Sequence, residues 1–128
     1  MRSARERTGL RILVVDDNVD IAELLSEALQ LHGFETSAAY DALAALDVWR
    51  RFAPQAAVLD LGLPGLDGYE LARRLREKHG QAPILIAATG YGQPQDRVRS
   101  VAAGFDSHLI KPVRVPELVR LLDGRLLA

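Results

Sequence analysis

Cysteine is absent from this sequence, which excludes disulfide bridges, thiolate metal sites and cysteine nucleophiles. A disulfide-free domain suits the cytoplasm, the location expected for it. No apolar run approaches the length of a membrane span, so no contact with a bilayer is expected. Net charge is also nearly missing. Lys and Arg number 16 against 17 Asp and Glu, a formal charge of -1. Non-specific binding to nucleic acid needs a basic surface, so this balance gives no support for direct nucleic-acid binding. Residues 1–9 carry Arg2, Arg5 and Arg7 with no apolar stretch behind them, which is not the pattern of a secretory signal. They read as a flexible, solvated tail or a piece of linker. The competing reading, a nucleic-acid arm, has only those few arginines behind it.

What is there is the balance of one globular domain. The 128 residues are 48% apolar and 26% charged, enough for one core and too few for two domains. Short apolar runs alternate with longer amphipathic stretches. Leu10 to Val15, Phe34 to Ala38, Ala56 to Leu59, Ile84 to Ala88 and Ser107 to Ile110 read as strands. Continuous apolar runs of this kind suit strands buried on both faces of a parallel sheet. Helical spacing appears over Asn18 to His32, Asp41 to Phe52, Tyr69 to His79, Gln95 to Ala103 and Pro116 to Leu127. In the second of these the expected buried residues are Leu43, Leu46 and Val48 or Trp49, with Asp41 as N-cap. Gly33, Gly80 and Gly104 stand where helices should close, because glycine tolerates the left-handed conformation of a helix stop. Five strands alternating with five helices predict an α/β domain over residues 10–128: a doubly wound, flavodoxin-like parallel sheet of order 2-1-3-4-5 with helices on both faces.

Ligands of open parallel sheets bind beyond the carboxyl ends of the strands. The first strand ends on Asp16-Asp17, the third on Asp60, the fourth on Thr89 and the fifth on Lys111. In the assumed order these groups converge on one rim. Three carboxylates in one pocket repel unless a cation compensates them. Mg²⁺, with Mn²⁺ as a substitute, fits an oxygen-only ligand set. Zinc is disfavoured without histidine or cysteine. Metal, carboxylate, lysine and hydroxyl together equip a pocket to handle a phosphoryl group, with a carboxylate as nucleophile. Taken singly, Asp16-Asp17-Asn18 reads as a turn and helix cap, Asp60 as a strand-end turn residue, and Thr89-Gly90 and Lys111-Pro112 as ordinary turns. Their joint placement at four strand ends favours the functional reading.

The ordered set VVDDN (14–18), VLDLGLPGLDGYEL (58–71), ATG (88–90) and AGFDSHLIKPV (103–113) resembles the receiver domain of two-component response regulators. The resemblance spans Leu10 to about Leu127. It implies that Asp60 is the phosphorylated aspartate, that Asp17 ligates Mg²⁺ directly with Asp16 as its partner, and that the backbone carbonyl of Gly62 is a further ligand. It makes Lys111 the lysine that pairs with the carboxylate and then the phosphoryl group, Thr89 the switch hydroxyl, and His108 the inward-turning ring. His108 would otherwise read as a surface residue between Ser107 and Leu109. The Lys111-Pro112 bond is expected to be cis. Gly62 has no side chain to orient an attacking water and Tyr91 stands where it would shield the acyl phosphate, so slow self-dephosphorylation is expected.

The resemblance also implies a histidine kinase or histidine phosphotransfer protein as donor. It implies a signalling face of fourth helix, fifth strand and fifth helix, with Arg97, Arg99 and Arg114 on or near it. The chain is expected to be a monomer or a weak, phosphorylation-dependent dimer. It assists its own phosphorylation and dephosphorylation without being an enzyme in the turnover sense. The wording TGYGQ with AGFDSHLIKPV resembles receivers at the carboxyl end of hybrid sensor histidine kinases, and a free-standing regulator is the alternative. Two readings of other kinds are weaker. A haloacid dehalogenase-like phosphohydrolase needs Asp-x-Asp, whereas Asn18 stands two residues after Asp16. An FMN binder would meet its phosphate with Asp16-Asp17, which repel it.

Overall fold

The computed structural model describes residues 2–90 and 94–127. Its elements run β1 (Arg11–Val15), α1 (Val19–Leu31), β2 (Glu35–Ala39), α2 (Ala42–Phe52), β3 (Ala56–Asp60), α3 (Gly68–His79), β4 (Ile84–Thr89), α4 (Pro94–Ala103), β5 (Ser107–Ile110) and α5 (Val115–Leu126). All strand pairs are parallel and the sheet order is β2-β1-β3-β4-β5. Successive side chains of a strand point to opposite faces. Leu13, Val15, Ala57, Leu59, Leu85 and Ala87 accordingly pack against α2 and α3, through Ala45, Trp49, Leu71 and Leu75. Ile12, Val14, Ala56, Val58, Ile86 and Ala88 pack on the other face against α1 and α5, through Ala22, Leu25, Leu29, Leu118 and Leu122. Each fully buried Leu or Ile in these layers contributes about 1.5–3 kcal/mol.

Local signals set the helix ends. Asn18, Asp41 and Asp67 cap α1, α2 and α3 by accepting from the N–H groups of Ile21, Ala44 and Glu70, which satisfies donors that the first turn leaves open. Gly33 and Gly104 take positive φ values of 101° and 104° after α1 and α4, where side chains with a Cβ are strained. Arg76 of α3 is anchored against the α4–β5 turn. Its Nη2 meets Asp106 Oδ2 at 2.7 Å, and its Nε donates to the Gly104 carbonyl at 2.9 Å.

Two sequence expectations are corrected. In α2 Trp49 is buried as expected and Leu46 and Val48 pack against the core, but Leu43 is 70% exposed and Ala42 and Ala45 face the sheet instead. The helix sits over a sheet already filled by large side chains, so small residues take the closest approach. Residues 2–9 are not a solvated tail throughout. Arg7 is 6% exposed, because a carboxylate from α5, Asp123, meets its guanidinium at 2.9 Å.

His79 closes α3 with its ring stacked on Trp49, centroids 5.6 Å apart at 26°. Burial, then the charge of Lys78, pushes its pKa below the ordinary 6.5. The unfolded chain therefore binds a proton at higher pH than the folded chain does. Stability falls as pH drops through the ordinary histidine value, and the loss is complete below the depressed folded value. His79→Gln is expected to flatten this part of the profile, read as urea midpoints between about pH 5 and 8. Parallel profiles for the two proteins would contradict the assignment.

Candidate functional site

Chain direction in a parallel sheet places the last residue of every strand on the same rim. Asp16 follows β1, Asp60 ends β3, Thr89 ends β4 and Lys111 follows β5. Asp16, Asp60 and Thr89 are 5%, 7% and 7% exposed, while Asp17 is exposed. The structure brings Asp16, Asp17 and Asp60 together, with one carboxylate oxygen from each lying within 4.8 Å of the others. The Lys111 ammonium bridges two of them, at 2.9 Å from Asp16 Oδ2 and 3.1 Å from Asp60 Oδ1. Burial works against that charge, but the hydrogen bonds to Asp16 and Asp60 outweigh it and raise the Lys111 pKa above its ordinary value. The lysine therefore stays charged at neutral pH.

The backbone fixes these side chains further. The Asn18 N–H donates to Asp16 Oδ1 at 2.9 Å and the Gly62 N–H to Asp60 Oδ1 at 3.0 Å. The Lys111 N–H donates to the Thr89 carbonyl at 2.6 Å, and the Lys111-Pro112 peptide is cis. Asp16 thus has both oxygens occupied. Asp60 has one oxygen occupied, and its Oδ2 accepts no hydrogen bond among the described residues. Asp17 makes no hydrogen bond or ion pair among the described residues. Oxygen donors alone, crowded and under-compensated by one lysine, suit a hard divalent cation.

Gly68 is a site residue that the sequence reading did not single out. A Cβ there would strike the Asp60 carbonyl oxygen and come within 2.8 Å of Leu61 Cα. The loop can fold back under Asp60 only because this side chain is missing. The signal in the sequence is the Asp67-Gly68 pair, where the N-cap is followed by the residue with no Cβ. Gly62 is different, since an added Cβ would sit at 3.6 Å from Asp60 Oδ1 in ordinary contact.

The remaining predicted residues lie away from the carboxylates. His108 is on β5, with Nδ1 at 3.2 Å from Ser100 Oγ of α4. Its Nε2 is buried with no hydrogen-bond partner among the described residues. Arg97, His108 and Arg114 line one cavity between α4 and α5. Arg99 turns the other way, with its guanidinium carbon 4.0 Å from the centre of the Tyr69 ring on α3. Tyr91 lies outside the described residues. A cavity of about 480 Å³ opens between α1 and the start of α5, with Asp16, Asp60 and Lys111 at its head and Ile21, Leu24 and Val113 on its walls. Ile21 and Leu24 are 44% and 71% exposed.

Comparison with known proteins bears on this arrangement. Residues 12–123 match the family model of the response regulator receiver domain. A 14.6 kDa protein encoded beside sodA1 in Leptolyngbya boryana is 39% identical over 118 residues, covering 91% of this chain and 90% of that one. The response regulator MprA of Mycobacterium avium is 39% identical over 110 residues. That match covers 86% of this chain, which spans about half (48%) of MprA. Among solved structures, a CheY-like receiver domain protein from Methanospirillum hungatei superposes with a TM-score of 0.84 at 29% identity, covering 91% and 93% of the two chains. A response regulator from Chloroflexus aurantiacus gives 0.85 at 30% identity, covering 93% and 98%. Order of strands, placement of the acidic rim and extent of the family match agree: this chain belongs to the response regulator receiver domain family.

Proposed function

We propose that this chain is a phospho-acceptor signalling domain in which Asp60 takes a phosphoryl group from a phosphohistidine donor. The observation that carries this reading is the division of labour at Asp60. Its Oδ1 is held by the Gly62 N–H and Lys111, which leaves Oδ2 as the nucleophile. Attack of Oδ2 on phosphorus forms an acyl phosphate as the bond to the donor's imidazole nitrogen breaks. The leaving nitrogen keeps the electron pair and takes up a proton. Lys111 compensates the phosphoryl oxygens from the β5 side without reorganising, because its ammonium is already fixed in the pocket. Asp17, Asp60 and the carbonyl of Gly62 would hold a Mg²⁺ ion, with Asp16 acting through water since both its oxygens are engaged. When bound, that ion supplies charge neutralisation of the transferring group.

The donor is a histidine kinase or a histidine phosphotransfer protein working in the cytoplasm. The groove between α1 and α5 leads to Asp60 and is walled by exposed Ile21 and Leu24, which suits an apolar helix face on that donor. Phosphorylation adds about -1.5 to -2 charge at Asp60. Thr89, at the end of β4, moves toward the new oxygens and His108 follows it. The Ser100–His108 contact between α4 and β5 gives that motion a route to the α4–β5–α5 face. The change is a shift between two populations of one fold.

Incubation with acetyl phosphate and Mg²⁺ is expected to add one phosphoryl group to the intact protein and none to Asp60→Asn, and chelation of the metal is expected to abolish the addition. Phosphorylation of the Asp60→Asn protein under the same conditions would sink the assignment.

Gly62 offers no side chain to position water at the acyl phosphate, and its surroundings leave room for one. Label is therefore expected to decay slowly once acetyl phosphate is removed. Decay as fast as the first mass measurement would contradict a protected acyl phosphate, and faster decay of Gly62→Asn than wild type would support the role of Gly62.

A further inference from the structure

The C-terminal ends of α1 and α5 lie together at the end of the sheet opposite the acidic rim, because helices run antiparallel to the strands in a doubly wound fold. Residues 2–9 cross both ends. Arg7 lies at the centre of this crossing. Its Nε and Nη2 reach the two oxygens of Asp123 on α5, both at 2.9 Å. Its Nη1 donates to the carbonyl of His32, the residue that closes α1, at 3.0 Å. Its Nη2 also donates to the Arg2 carbonyl at 3.2 Å. The guanidinium carbon stands 5.7 Å from the centre of the Phe34 ring. The two side chains of the ion pair are 7% and 14% exposed.

Other contacts fit the segment to this place. An α-carbon substituent on Gly33 would run into the backbone of Ala4, coming within 2.7 Å of its Cα, so the first turn sits flush on the end of α1. Arg2 Nη2 donates to the Leu127 carbonyl at the C-cap of α5, at 2.6 Å. One buried arginine thus serves α1, α5 and its own turn at once. A planar fork of donors can do this and a lysine cannot.

We propose that residues 2–9 form an intramolecular strap, buckled by Arg7, which locks the end of α5 onto the end of α1 and whose opening frees α5 while leaving the acidic rim intact. The guanidinium is held by a bidentate carboxylate and the His32 carbonyl, so removing it strands the largely buried Asp123 without its partner and the strap lets go. The rim is spared because its contacts, from Lys111 to Asp16 and Asp60, are made at the other end of the strands. The strap's existence does not rest on the phosphorylation reading. Its consequence does, in that α5 belongs to the face proposed to carry the signal, and a strapped α5 shifts less readily than a free one.

Hydrogen exchange of the full chain, followed by mass spectrometry, tests the strap. In Arg7→Met, amides of the last two turns of α5 and the end of α1 are expected to exchange about tenfold faster or more, while those of β1, β3 and β4 keep their wild-type rates. Asp123→Asn is expected to give the same pattern, and the double variant no more than either single one. Arg7→Lys keeps the charge but loses the fork, and gives the same contrast in milder form should Arg7→Met not fold. Labelling of Arg7→Met by acetyl phosphate is expected at no less than the wild-type rate, since the rim is intact and a freed α5 does not oppose the coupled shift. Unchanged α5 exchange would overturn the strap, as would equal acceleration throughout the sheet or additive effects of the two substitutions. Slowed labelling would overturn the separation of strap and rim. Failure of the wild-type protein to label would count against the phosphorylation reading alone, since exchange decides the strap independently.

Discussion

The arrangement at the carboxyl end of the sheet depends on one cation. Lys111 places its ammonium 2.9 Å from Asp16 and 3.1 Å from Asp60. Three carboxylates share that pocket, and their repulsion grows as water is excluded. The lysine lowers that repulsion enough for two of them to stay buried. It also decides which oxygens remain available. Among the described residues Asp16 is engaged at both oxygens, Asp17 at neither and Asp60 at one. A pocket that is incompletely neutralised in this way has the donor set that suits a hard divalent cation.

Topology supplies the lysine at no separate cost. β4 lies between β3 and β5, so the residue after β5 reaches Asp60 only across Thr89. The Lys111 N–H is tied to the Thr89 carbonyl at 2.6 Å. The same strand places His108 beside Ser100 of α4. The acidic rim and the α4–β5–α5 face are therefore joined through two adjacent strands, β4 and β5. At the opposite end, the Arg7 contacts hold α1 and α5 by groups that touch none of these. Ion pairs made largely out of solvent thus lie at both ends of the sheet, Lys111 with Asp16 and Asp60 at one and Arg7 with Asp123 at the other.

Much of this was legible in the sequence because parallel strands buried on both faces are continuous apolar runs, and their ends carry the polar residues. Ile12 to Val15 and Ala56 to Leu59 are examples, ending on Asp16 and Asp60. Helix caps were legible for a similar reason, since Asp41 and Gly33 act within a few residues of themselves. Long-range pairing was not. Nothing near Arg7 announces Asp123, which is 116 residues away, so three arginines at the start read as solvated. Gly68 was missed because its role is set by the backbone of Asp60 passing beneath it. Arg99 was placed on or near the α4–β5–α5 face, and its guanidinium lies over Tyr69 of α3, a choice that a helix of mixed polarity does not reveal. Leu43 was counted with the apolar face of α2 although 70% exposed, because spacing locates a stripe but not its edges.

The central claim is that the acyl phosphate forms on one named carboxylate. Borohydride reduces an aspartyl phosphate to homoserine and leaves free carboxylates untouched. Treating the acetyl phosphate-labelled protein in this way and sequencing its peptides by mass spectrometry locates the phosphoryl group directly. The account predicts homoserine at position 60 and intact aspartate at positions 16 and 17. Homoserine at either of those positions, with Asp60 unreduced, would contradict it.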